Sequence, residues 1–420
     1  MEAGALDLVG DWVGIVAVML FAIAYVFVTV EEFTHLRKSK PMLLAAGLIW
    51  ALVGYEYASH DLIHAAEAAV TVFVVEFVEV FLFLLVAMTY VNAMSERNIF
   101  EALRAWLLHQ RYGYRRLFWT TGGMTFLLSP IIDNLTAALV MCAIVLAVGK
   151  HNRSFTAIGC VNVVVAANAG GAFSPFGDIT TLMVWQSGMV EFQTFFALLV
   201  PSVVNYLVPA VIMSFAVPRE TPAIDDSGEV AMKRGSKVII FLFVCTKATA
   251  ISFEHFLHLP PFLGMMTGLA YLKIFGDHLK RTHVSAAPDR AGYGEIGDTQ
   301  AFDSYRELAR IEWDTLIFFF GVIMCVGGLG FIGYLAVASQ YLYLGLGPTT
   351  ANVLVGFLSS IIDNIPVMVG ILQMSPEMDL NQWLLVTLTV GVGGSMLSVG
   401  SAAGIALMGQ ARGIYTSLAI

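Results

Sequence analysis

Three carboxylates lie where a carboxylate is costly. Asp133 in SPIIDN (129–134), Asp363 in SSIIDN (359–364) and Asp178 in SPFGD (174–178) are each flanked by long apolar runs. An ionisable group at membrane depth costs roughly 2.5–3.5 kcal/mol, so it marks a functional site by default. Asn134, Thr136, Asn168, Thr180, Thr181 and Asn364 lie close by in the chain and bring amide and hydroxyl oxygens. Hard oxygen ligands of this kind suit a small hard cation such as Na⁺. Ser395, Ser398 and Ser401 offer a weaker set in a related stretch. Carboxylates gathered in a low-dielectric cavity hold either protons or a cation; they do not stay empty and charged. One site that binds Na⁺ and H⁺ in competition couples the two fluxes by that competition alone. The plain alternative is that each Asp-Asn pair caps a new helix. Two symmetric charged pairs fit that alternative poorly, because Ser or Thr would cap at lower cost in lipid.

The elements that must hold these groups are membrane helices. Apolar residues make up 58% of the 420 and charged residues 13%, about half the roughly 25% that a soluble surface needs. Mean hydropathy is +0.78. With 22 Lys+Arg against 31 Asp+Glu the chain has no basic face for nucleic acid, and its apolar content excludes disorder. The 38 glycines exceed the roughly 7% average and suit close packing and broken helices. Apolar runs predict spans at 12–30, 41–57, 71–94, 193–218, 238–256, 261–276 and 313–334. Three further apolar regions, 115–149, 155–190 and 347–411, are broken by Pro, Gly or polar pairs. The segment 95–116 has the spacing of an interfacial amphipathic helix. The four cysteines lie in apolar stretches and read as small buried hydrophobes. No Lys or Arg precedes the first run, so that run reads as a retained span.

The positive-inside rule then sets the topology. Arg37, Lys38 and Lys40 place the first loop inside and the N-terminus outside. Arg115 and Arg116 open the 115–149 segment and Lys150 and Arg153 follow it, so it enters and returns on one side as a re-entrant hairpin. SPIIDNLTAALV (129–140) recurs as SSIIDNIPVMVG (359–370), and NAGGAFSPFGDITTLM (168–183) recurs more weakly as GVGGSMLSVGSAAGIA (391–406). VEVFLFLLVAM (78–88) resembles WDTLIFFFGVIM (313–324), and these two spans run in opposite directions. The expected fold is therefore an all-α polytopic membrane protein with two inverted-topology repeats, each with a re-entrant hairpin and a broken helix. Scaffold helices occupy 1–70, the first repeat 71–218, connecting helices and loops 219–312, and the second repeat 313–420. The 193–218 span has no counterpart before Ile420, so the second repeat is expected to lack its last helix.

Other ionisable groups are weaker candidates. Lys247 lies within a span and is either a partner of one Asp or a snorkelling structural residue. Glu79 is an intramembrane candidate, and Glu76 reads as structural. His60, Asp61, His64 and Glu67 share a helix surface but form no closed coordination set, so they read as a solvated cluster. The sequence has no Walker motif, GxGxxG, nucleophile triad or HExxH, so neither nucleotide nor cofactor is expected.

The motifs SPIIDNLTAAL, NAGGAFSPFGDITTLMVWQ, LHLPPFLGMMTGL (257–269) and SSIIDNIPVMV resemble the NhaD-type sodium/proton antiporters of the ion transporter superfamily, from about residue 12 to the end. The most specific piece is Gly177-Asp178-Ile179-Thr180-Thr181 with Trp185-Gln186. The resemblance implies exchange of Na⁺ or Li⁺ for H⁺, a multi-pass protein of a bacterial inner membrane, and a homodimer that moves in an elevator-like way. It also implies that Asp133, Asn134, Thr136, Asn168, Asp178, Thr180, Thr181, Asp363 and Asn364 form the functional set. Pro366 stands where the first repeat has Thr136, so the second hairpin offers one ligand fewer. The rival readings are a permease for arsenite or another oxyanion, against which three acids argue, and an intramembrane aspartyl hydrolase using paired Asp residues.

Overall fold

A computed structural model describes residues 6–34, 36–221, 230–282, 302–397 and 400–411. Among these the secondary structure is helical throughout, with no strand. In chain order the helices are α1 (Trp12–Thr29), α2 (Glu31–Thr34), α3 (Ser39–Ser59), α4 (Ile63–Glu96), α5 (Ile99–His109), α6 (Tyr114–Ile132), α7 (Asn134–Val148), α8 (Arg153–Gly171), α9 (Ile179–Gln186) and α10 (Leu199–Ser214). They continue with α11 (Ser236–Leu257), α12 (Pro261–Arg281), α13 (Ser304–Ala309), α14 (Trp313–Phe331), α15 (Tyr334–Ser339), α16 (Pro348–Ile361), α17 (Asn364–Met374), α18 (Leu380–Gly393) and α19 (Ala402–Gln410).

Seven helical stretches are long and apolar enough to cross a membrane: 12–29, 39–59, 63–96, 153–171, 192–214, 236–257 and 313–331. The chain is a multi-pass membrane protein. Six of these overlie predicted runs. The seventh, α8, comes from a region expected to be broken, because the breakers Gly170, Gly171 and Pro175 fall at and beyond its C-terminus rather than inside it. The run at 261–276 does form α12, but its glycines, Lys273 and Asp277 leave it outside the seven. Helix α4 begins at Ile63, earlier than the apolar run, and has 34 residues. At 1.5 Å per residue it is roughly 50 Å long, well beyond a hydrocarbon core of about 30 Å. His64 and Glu67 in its first turns are exposed, and no group of three metal-ligating side chains forms among the described residues.

The interfacial segment folds as the short helix α5, and the chain turns at Gly113 into α6. Below α4 a compact ion cluster ties down the connecting segments. Buried Arg97 bonds Glu96 at 2.5 Å, Lys233 reaches Glu96 at 3.4 Å, and Glu307 holds Arg310 at 3.4 Å. Asn92 on α4 donates to the Glu307 carbonyl at 3.1 Å, joining this cluster to the interior. The four cysteines are free, and three of them are buried.

Candidate functional site

Each Asp sits at a break between two helices. Asp133 separates α6 from α7, with Pro130 inside the last turn of α6 and a backbone φ of 99° at Asp133 itself. A non-glycine residue held there is strained, and such strain persists where the surroundings over-determine it. Asp363 separates α16 from α17, and Asp178 starts α9 after the unwound stretch beyond α8. Two glycines allow that unwinding, since a Cβ on Gly171 would lie 2.6 Å from the Gly177 carbonyl oxygen and one on Gly177 would lie 2.6 Å from Gly171 Cα. The two backbones touch.

The second half repeats these contacts at matched positions. Ser129 donates to the Ala167 carbonyl at 2.6 Å, and Ser359 donates to the Val390 carbonyl at 2.7 Å. Gly170 lies against the Phe126 carbonyl, and Gly393 against the Gly356 carbonyl. Gly171 meets Gly177 as Gly394 meets Gly400. Asp178 and Ser401 both cap the next helix with φ −145° and ψ 151°.

The hydrogen bonds draw the two halves together. Asn134 donates its side-chain amide to Asn168 Oδ1 at 3.1 Å, and Asn168 donates to Ser395 and Ser401 Oγ at 3.0 Å each. Asn364 donates to Asp178 Oδ2 at 3.1 Å. Asp133 accepts from the Thr136 amide at 2.7 Å and from its hydroxyl at 2.8 Å. Thr181 donates to the Ser174 and Asp178 carbonyls, while the Thr180 hydroxyl is buried without a partner. Ser398 lies outside the described residues.

These bonds weigh the capping alternative residue by residue. It accounts for Asp133, whose two oxygens both serve Thr136. It accounts for half of Asp178, which caps α9 through Oδ1 at 3.3 Å while Oδ2 faces Asn364. It fails at Asp363, which makes no side-chain cap; both of its oxygens are buried with no hydrogen-bond partner. Ser401 performs at its position the capping that Asp178 performs, so a cap there needs no charge.

Asp133, Asn134, Thr136, Asp178, Lys247 and Asn364 line one cavity of about 100 Å³, room for several water molecules. Asp363 does not line it; its backbone N–H donates to the Tyr25 hydroxyl of α1 at 2.8 Å. Lys247 makes no ion pair with an Asp. Its ammonium donates to the Ile131 carbonyl and stands 4.5 Å from the ring centres of Phe176 and Phe243. Glu79 is elsewhere: with Glu76, Gln186 and Gln373 it lines a second cavity farther toward the N-terminal end of α4. The same four helices, α4, α9, α14 and α17, line both cavities, and Phe83, Phe176 and Trp185 pack together between them. Tyr25 and the Phe176 ring carry no charge or breaker that would mark them in the sequence.

A family model described as a citrate transporter matches residues 7–391. The chain is also 53% identical over 427 residues to the Na⁺/H⁺ antiporter NhaD of Vibrio cholerae, covering 99% of this chain and 89% of that protein. The chain belongs to the NhaD antiporter family. Identity to the NhaD of Alkalimonas amylolytica is again 53%, over 99% of this chain and 88% of the relative. Sodium/proton antiporter 1 of Arabidopsis thaliana is 32% identical, covering 94% of this chain and 67% of its own length. Two of the stretches that carry the resemblance to the NhaD family, around Asp133 and Asp178, supply two of the three carboxylates that line the cavity, the third being Glu312.

Proposed function

We propose that this protein is a secondary active transporter that exchanges Na⁺, or Li⁺, for H⁺ by alternating access. Cation and protons compete for Asp133 and Asp178, with Asp363 close behind. The observation that carries this reading is a small cavity lined by buried Asp178 and half-buried Asp133 beside Thr136, Asn134 and Asn364, with the exposed Glu312 also in its lining. Each Asn spends its NH₂ group on a neighbour, so its carbonyl oxygen is the end left for a cation. An anion such as citrate would meet three carboxylates here, Asp133, Asp178 and Glu312, and a single base, Lys247, with no arginine fork to hold it. No covalent step is needed. Sodium-dependent dequenching of a pH-sensitive dye in everted vesicles tests the exchange, and a response to citrate or arsenite but not to Na⁺ would overturn it. Asp133→Asn and Asp363→Asn should each raise the apparent Kd for Na⁺ at least about tenfold, some 1.4 kcal/mol, measured as half-maximal dequenching. An unchanged value in both would remove these residues from the cation site.

The matched contacts of the two halves support an inverted-repeat architecture, with α6–α7 and α16–α17 as re-entrant hairpins from opposite faces. The repeats occupy 71–218 and 313–420, the scaffold helices 1–70 and the connecting helices 219–312. The protein sits in a bacterial inner membrane with its N-terminus outside, as a homodimer whose transport parts move against a scaffold. Single cysteines at two exposed positions, Lys150→Cys and Thr350→Cys, should react with a membrane-impermeant thiol reagent from opposite faces. Labelling of both from one face would rule out the inverted arrangement.

A further inference from the structure

A groove on the arginine-rich face of the protein takes no part in the ion site. The turn between α5 and α6, the start of α6 and the segment after α10 form it, and Arg111, Tyr112, Arg115, Arg116, Trp119 and Arg219 line it. All four arginines are exposed, and among the described residues none of them is ion-paired with a carboxylate. Four unpaired arginines together are not what the net charge of −9 would scatter at random.

A stripe without charge on each helix runs up to these arginines, apolar on α10 and small or apolar on α6. On α6, Arg116, Thr120, Gly123 and Leu127 follow at helical spacing; Leu127 is 66% exposed, and a Cβ on Gly123 would meet nothing within 4 Å. On α10 and beyond it, Val208, Ile212, Phe215 and Arg219 do the same, with Phe215 78% exposed. The slot is therefore uncharged along its length and cationic at one end, with Tyr112 and Trp119 beside the arginines, and aromatic rings of this kind favour the head-group level of a membrane. A soluble anion has no use for the stripes. A phosphodiester head group with two acyl chains fits both parts, and arginine forks bind phosphate oxygens in pairs.

We propose that this groove binds one anionic phospholipid, with its phosphate held by Arg111, Arg115, Arg116 and Arg219 and its chains laid along the stripes of α6 and α10. The test is lipid retention by the full-length protein in native mass spectrometry, with phosphatidylglycerol and phosphatidylcholine as probes. The wild type should retain phosphatidylglycerol preferentially. Arg115→Gln with Arg116→Gln, and separately Arg111→Gln with Arg219→Gln, should each weaken that retention at least about tenfold. Phosphatidylcholine retention should not change. Gly123→Phe, which fills the slot without touching a charge, should weaken both lipids. Helix content and melting temperature identify any variant that misfolds, and the remaining variants then decide. Equal phosphatidylglycerol retention by the wild type and both charge variants overturns the proposal. So does displacement by millimolar inorganic phosphate, which would mean a soluble-anion site. Loss of a dimer with lipid retention intact would instead make the groove a protein interface and also overturn it.

Discussion

Asp178→Asn is expected to abolish sodium-dependent proton exchange while the protein still folds and inserts. Asp178 is 5% exposed and is the one carboxylate that both lines the cavity and accepts from the opposite half, through Asn364. Asparagine keeps an oxygen that can cap α9 in place of Oδ1. Its amide then turns a donor toward the Asn364 donor, a local mismatch of roughly 1–3 kcal/mol that the rest of the fold absorbs. What cannot be replaced is the charge. A neutral amide neither balances a dehydrated Na⁺ nor releases a proton on the return leg, so both fluxes stop. Vesicles with matched expression should show no Na⁺-induced dequenching. Wild-type rates from this variant would remove Asp178 from the shared site.

The second large effect is steric. In Gly171→Ala the new Cβ would lie 2.6 Å from the Gly177 carbonyl oxygen and 3.0 Å from its carbon, with Ser129 Oγ at 3.3 Å. Backbone cannot rotate aside as a side chain can, so α8 must move away from the strand of chain that leads into Asp178. Overpacking of this kind costs typically 1–3 kcal/mol. Here the displaced segment also carries the carboxylate, so transport should fall by at least about tenfold. Gly123→Ala, with open space around it, is the control that should leave transport and melting temperature unchanged. A Gly171→Ala protein that melts and transports like the wild type would mean that the close crossing at Gly177 is not needed.

What the sequence made legible was local. Asp133, Asp178 and Asp363 were visible because charge in an apolar run is rare, and Pro130, Gly170 and Gly171 because they break helices. The duplicated Asp-Asn motif also pointed to two matched helix breaks, which the structure places at Asp133 and Asp363. What stayed hidden depends on tertiary packing. Nothing in an apolar first span marks Tyr25 as the acceptor for the Asp363 N–H. Periodicity along α4 did not separate Glu79 from the residues that line the Asp133 cavity, because both cavities share one helix face about a turn or two apart. Lys247 shows the same limit: its position in a span left an Asp partner and a structural role equally open, and only packing shows its ammonium resting on a carbonyl and two aromatic rings.

Competition of sodium and protons for the carboxylates of one cavity has a direct signature in the pH dependence of transport. In reconstituted vesicles, half-maximal dequenching can be measured as a function of Na⁺ concentration between pH 6 and pH 9. A proton bound to Asp133 or Asp178 removes the charge that holds Na⁺, so acidification must raise the concentration of Na⁺ required. The slope of its logarithm against pH counts the protons displaced per cation. The expected result is a half-maximal Na⁺ concentration that falls steadily as pH rises, with a slope that is shallower in Asp133→Asn, where Asp178 alone still exchanges a proton. A half-maximal concentration that stays flat across this range, with only the maximal rate changing, would contradict it and place protons and sodium at separate sites.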